Sequence, residues 1–190
     1  GALSATDIVA VLYGAIMNYD PQDPLHRDKL ILSAGHKCLT LYGAMAELGV
    51  IDKAELKTYN QLGTRFPGHP DATKLPCFDF STGSLGHGLP LGCGYAMAAK
   101  LQGDSYRTYV FGWAVRSVDG NDVGALYDAL AAVPFETGKP SLIVAKTTKS
   151  KGVSFLEDQA KYHHWNPNRE DADRALAELD AVAAERGWQA

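Results

Sequence analysis

The stretch that most constrains the fold runs from Phe80 to Lys100 and carries glycines at 83, 86, 88, 92 and 94. The first three fall in a polar loop, and the last two fall where an apolar helical pattern begins. A glycine-rich turn feeding a helix N-terminus leaves backbone N–H groups and the positive dipole end facing one spot, which suits an anion. Glycine at 92 and 94 also lets a backbone or a flat ring approach the first turns of that helix. The competing reading is a glycine-lined helix packed tightly on a sheet, and the glycines alone do not decide between the two.

Around this stretch, helical and strand-like patterns alternate. Ser4 and Asp7 look like an N-cap pair ahead of Ile8, Val11, Leu12, Ala15 and Ile16, one face of a helix. Residues 29–33 form a short apolar run, and Gly35-His36 opens a second helix closed by Gly49. Asp52 and Glu55 form a capping box for a helix ending near Gly63, followed by an irregular segment over 64–79. Runs at 106–110, 113–118 and 141–145 read as strands, and 121–133 and 169–187 as helices. Alternating helices and buried strands predict an α/β fold, with a mainly parallel sheet and helices on both faces. At 190 residues, 1–190 reads as a single domain.

Charge narrows the partners. A formal net charge of −4 argues against nucleic acid or an anionic membrane, and no apolar run is long enough to span a bilayer. Cys38, Cys77 and Cys93 are odd in number and lack CxxC spacing, so reduced thiols in a cytoplasmic protein are expected, not a zinc site.

Four histidines, His36, His69, His87 and His163, lie in loops or at helix starts. Loops at one end of a parallel sheet converge on a ligand crevice, and imidazole suits proton transfer and hydroxyl or phosphate binding. Metal-binding spacings such as HxxxH and HExxH are absent. Lys146, Lys149 and Lys151 follow the last strand as a basic loop, solvated or serving as a rim that attracts phosphate.

Several blocks occur in a recognisable order: Leu-Ser-Ala-Gly-His36, Gln-Leu-Gly-Thr-Arg65 with Gly-His-Pro70, and Ser-Thr-Gly-Ser-Leu-Gly-His-Gly88. Phe-Gly-Trp113, Val-Asp-Gly-Asn-Asp122, Ala-Lys-Thr-Thr-Lys-Ser-Lys-Gly152 and Tyr-His-His164 follow. The chain resembles the N-terminal, diphosphate-binding half of transketolase, above all the split form in which each half is a separate polypeptide. The resemblance implies the thiamine diphosphate-binding fold and transfer of a two-carbon ketol unit from a ketose phosphate to an aldose phosphate. It also implies thiamine diphosphate and Mg²⁺ as cofactors and sugar phosphates as substrates. The partner it implies is a C-terminal pyrimidine-binding subunit, with homodimerisation within a larger assembly.

By the same resemblance, His36 contacts the diphosphate region, His69 binds the transferred hydroxyketone, and Gly83 and Leu85 lie against the pyrimidine. His163 is linked to substrate contacts and proton transfer. His87 stands where the family more often has Gln.

One departure concerns Tyr109-Val110-Phe111-Gly112, where the family carries a Gly-Asp-Gly and Asn excursion that holds Mg²⁺. Parallel neighbours need a crossover of about a dozen residues, and only Phe111 and Gly112 separate the two expected strands. A segment omitted between 110 and 111 is the favoured reading, ahead of a deletion. A cofactor-free binding or assembly module that lost the metal loop, and a related thiamine diphosphate synthase, remain as alternatives.

Overall fold

The computed structural model describes residues 2–111, 116–135, 141, 143–162 and 167–187. Helix α1 (Leu3–Val11) runs into a π-type turn over Leu12–Ile16, closed by the Met17 amide donating to the Leu12 carbonyl at 2.8 Å. The expected N-cap is not made. Ser4 lies inside α1, where its Oγ accepts from Lys37 Nζ at 3.2 Å, and Ala2 occupies the cap position without a side-chain bond.

Strand β1 (Lys29–Leu32) is buried at every position, as a continuous apolar run between two covered faces requires. A 3₁₀ turn over Gly35–Lys37 leads into α2 (Leu39–Glu47), which buries Leu41, Tyr42 and Met45 against β1 and Phe66. Asp52 does cap the next segment, accepting from the Ala54 amide at 2.8 Å. Glu55 instead turns to Arg65, at 2.8 and 3.0 Å, and the segment is a 3₁₀ turn over Lys53–Thr58 that stops short of Gly63.

Helix α3 (Gly88–Gln102) ends on Gly103 at φ 78°, the left-handed conformation that suits a glycine C-cap. Strand β2 (Thr108–Phe111) pairs in parallel with β1. Strand β3 (Arg116–Asp119) pairs in parallel with β4 (Ile143–Lys146). Between them, α4 (Val123–Ala131) starts on Asp122, whose carboxylate accepts from the Ala125 amide at 3.0 Å. Helix α5 (Arg169–Glu185) is capped by Asn168, which accepts from the Asp171 amide at 2.8 Å.

Among the described residues the parallel strands form two sheets of two strands each, where a continuous sheet was expected. Four residues separate β2 from β3, and no right-handed crossover fits in that length. The strands themselves also shift, β2 running to Phe111 and β3 starting only at Arg116.

Candidate functional site

The carboxyl end of β1 organises the site. Beyond Leu32 the chain turns through Ser33 and Gly35, and the loop over 80–87 lies directly against it. Thr82 Oγ1 donates to the Leu32 carbonyl at 2.6 Å, and the Gly86 amide donates to the Ser33 carbonyl at 3.2 Å. Gly35 sits where a Cβ would come within 2.6 Å of the Thr82 carbonyl oxygen and 2.9 Å of His69 Cδ2. A Cβ on Gly83 would lie 3.7 Å from the same His69 carbon. The imidazole of His69 therefore rests across both glycines, with the histidine itself exposed.

His69 is held from behind. Tyr42 OH lies 2.8 Å from the Pro67 carbonyl and 3.1 Å from that of His69, and donates to this pair. Burial pushes the Tyr42 phenol far above its ordinary range, so it remains a donor at any ordinary pH. Nearby, burial raises the Cys38 thiol, and its Sγ donates to the Pro67 carbonyl at 3.6 Å. Tyr42 carried no functional signal in the sequence, because it sits within an apolar helical pattern.

The structure thus brings together His69, Gly83 and the Gly35-His36 turn. His36 is half-buried at the start of that turn, while Leu85 is 64% exposed at the loop's outer edge. His87 is exposed and occupies the N-cap position of α3 without capping it. His163 lies outside the described residues.

Two expectations are corrected. The N-terminus of α3 does not stand open to an anion: the Gly88 amide donates to Ser33 Oγ at 2.9 Å, and the Leu89 amide to the Gly86 carbonyl at 3.3 Å. Gly88 and Gly92 are packing residues, since a Cβ would meet Ser33 Cβ at 2.6 Å and Val110 Cγ2 at 2.2 Å. Gly94 has open space around it. In the basic loop, Lys151 pairs with Glu157 at 2.8 Å, which holds the carboxyl below its usual range; Lys146 remains exposed.

Asn121 is a residue whose role the sequence did not disclose. Its Oδ1 accepts from the Thr148 amide at 2.7 Å and its Nδ2 donates to Asp7 at 3.1 Å, tying the end of β3 to α1 and to the loop after β4.

The site residues fit the pyrimidine end of thiamine diphosphate. Gly83 offers an exposed backbone, Leu85 an exposed apolar side chain, and a Cβ at Gly35 would displace the imidazole beside them. Among the described residues no three His, Cys, Asp or Glu side chains come together as a metal site, so the donors present do not fit Mg²⁺.

Parallel strands whose carboxyl-end loops converge on one crevice define an α/β domain that binds its ligand at the strand ends. Residues 1–109 match the family described as transketolase, thiamine diphosphate binding domain. An apulose-4-phosphate transketolase subunit of Actinobacillus succinogenes is 30% identical, over 93% of this chain and 85% of its own length. A 6-deoxy-6-sulfo-D-fructose transketolase subunit of a Clostridium species is 29% identical, over 97% and 88%. The solved transketolase of Campylobacter jejuni superposes with a TM-score of 0.81 at 26% identity, covering 94% of this chain and 38% of that one. The chain belongs to the transketolase family. It spans about two fifths of the length of that solved transketolase and most of the length of the subunit relatives.

Proposed function

We propose that this chain is the thiamine diphosphate-binding subunit of a split transketolase, moving a two-carbon ketol unit from a ketose phosphate to an aldose phosphate. The observation that carries the reading is the exposed His69 ring laid across Gly35 and Gly83 at the carboxyl end of β1. Family membership and the lengths of the subunit relatives support it.

Gly83 and Leu85 would hold the pyrimidine, and His36, one residue beyond Gly35, the diphosphate region. Bound there, the cofactor's thiazolium supplies the carbanion and the electron sink. His69 Nε2 and Nδ1 are positioned to hydrogen-bond the hydroxyls of the transferred ketol, with Tyr42 fixing the backbone that carries the ring. His163 would serve proton transfer. Mg²⁺ belongs to the reading through the family alone, and no step here passes through it.

The second chain is a pyrimidine-binding subunit. Leu85, Leu89, Cys93, Met97 and Leu101 recur every four residues along α3, and each is exposed, Leu101 by 85%. That spacing places them along one side of the helix, and it begins inside the candidate site. A partner chain seated on it would close the site from solvent, and pairing of two such units would give a larger assembly.

Two outcomes follow. The purified chain alone is expected to show no ketol transfer, and adding the second subunit with thiamine diphosphate and Mg²⁺ is expected to restore it. In the assembly, His69→Ala is expected to lower kcat/KM by roughly 100-fold. Cofactor binding by calorimetry would stay unchanged; loss of cofactor binding instead would move His69 out of the ketol subsite. No saturable cofactor binding by the assembly would leave a binding module.

Thiol labelling tests the partner face. Near neutral pH, Cys93 is expected to react rapidly with iodoacetamide, whereas Cys38 resists because it is buried and its thiol is pushed up. Raising the pH is expected to speed Cys38 only through local opening. The second subunit is expected to protect Cys93; unchanged labelling in an active assembly would place the interface elsewhere.

A further inference from the structure

A cavity of about 810 Å³ lies between the two half-sheets. Val110 and Phe111 of β2 line it from one side, Ile143 and Ala145 of β4 from another, and Leu126 and Leu130 of α4 complete much of the wall. Native cores tolerate few voids larger than a water molecule, so an apolar space of this size is out of keeping with a finished interior. Thr108 Oγ1 and Tyr109 OH, both on residues that line it, are buried without a hydrogen-bond partner. Burying such atoms unpaired is costly, which marks the wall as made for contact with something polar as well as apolar.

The backbone adds a second argument. Among the described residues β2 pairs with β1 alone and β3 with β4 alone, and a two-stranded sheet is marginal by itself. Each therefore keeps one strand edge free of a ladder. A third argument comes from the relatives. The alignment with the Actinobacillus succinogenes subunit runs over 236 residues, 46 more than the whole chain contains. The match to the family's domain stops at residue 109, inside the strand that walls the cavity.

We infer that the cleft between the half-sheets is an acceptor for one added β-strand. Its occupant is an aliphatic strand on a segment of the kind the related subunits carry and this chain lacks. The strand hydrogen-bonds to the free edge of β2 and extends the sheet towards β3, main-chain bonds supplying affinity as in other cases of strand addition. Helix α3 covers the Val110 face of β2, and α1 and α4 contribute Ile8, Leu12, Leu126 and Leu130 to the cavity. A strand entering between such layers is covered on both faces, so it carries a continuous aliphatic run and not an alternating one. Its polar backbone and neighbouring side chains offer the partners that Thr108 and Tyr109 lack.

The test uses the intact 190-residue chain and does not read ketol transfer or cofactor binding, so it stands apart from the proposed activity. 8-Anilinonaphthalene-1-sulfonate is titrated first, followed by a synthetic peptide. The peptide is the stretch of the Actinobacillus succinogenes subunit that the alignment leaves opposite no residue of this chain. The dye is expected to bind saturably and to be displaced by the peptide, while a version with proline at alternate strand positions fails to displace it.

In a chimera with the stretch inserted between Val110 and Phe111, dye binding is expected to vanish and Tm to rise by several degrees. Absence of dye binding by the unmodified chain overturns the inference, including the case in which a concentration-dependent dimer hides the cleft. So does dye that stays bound in the presence of the peptide, or equal displacement by the proline version. Should the chimera prove insoluble, the two peptides decide the matter.

Discussion

Gly92→Ala is expected to lower stability by about 2 kcal/mol and Tm by about 4–8 °C, despite the better helix propensity of alanine. The added Cβ would fall 2.2 Å from Val110 Cγ2, so either α3 lifts from β2 or the strand moves. Alanine gains about 1 kcal/mol over glycine in a helix interior, which overpacking of about 1–3 kcal/mol or more outweighs at this contact. The contact is specific, and a double-mutant cycle should show it. Removing the opposing methyl in Gly92→Ala/Val110→Ala is expected to cost less than the sum of the two single changes. Additive losses in thermal melts would mean that α3 does not rest on β2 through this glycine.

Asp28→Ala is expected to be costlier, about 3–4 kcal/mol, with Tm lower by about 6–16 °C. Asp28 is only 3% exposed and gathers four bonds at the start of both strands of one half-sheet. It accepts from the Asn18 amide at 3.0 Å, the Arg107 amide at 2.6 Å, and Arg107 Nε and Nη2 at 3.2 and 3.0 Å. Alanine leaves the Asn18 and Arg107 amides unpaired at that site. The ion pair itself contributes less, because the Arg107 side chain is half exposed and solvent screens it. Asp28→Asn keeps an acceptor oxygen for one amide and is expected to lose about half as much. Equal losses for alanine and asparagine in urea melts would assign the effect to the charge.

Much of the local structure could be read directly. The unbroken apolar run of β1, the Asp122 cap of α4 and the charged, alanine-rich pattern of α5 each reflect short-range chemistry that a single stretch of sequence displays. The convergence of Gly35, His69 and Gly83 was legible through motif order. Three features were not, and each depends on a partner far away in the chain. Gly92 looked equally suited to a ligand or to a strand until Val110 was placed beside it. The outer face of α3 is apolar like its inner face, so periodicity could not tell which side is covered. The anion expected at the start of α3 gave way to Ser33, a hydroxyl 55 residues upstream that takes the first helical amide. Ser4 was misread for a related reason: its hydroxyl answers Lys37 rather than its own helix.

The two half-sheets also differ in how far apart their partners lie along the chain, which bears on how the molecule reaches its fold. The Asp28–Arg107 bonds at the start of the β1–β2 ladder join residues 79 apart, whereas Asn121 and Thr148, beyond the end of the β3–β4 ladder, are 27 apart. Loop-closure entropy grows only slowly with length, but non-local pairing slows the search. The β3–α4–β4 unit should therefore assemble early, and the β1–β2 pair should follow once α2 and α3 supply their faces. A pulse of hydrogen exchange during refolding is expected to find the amides of β4 protected before those of β2.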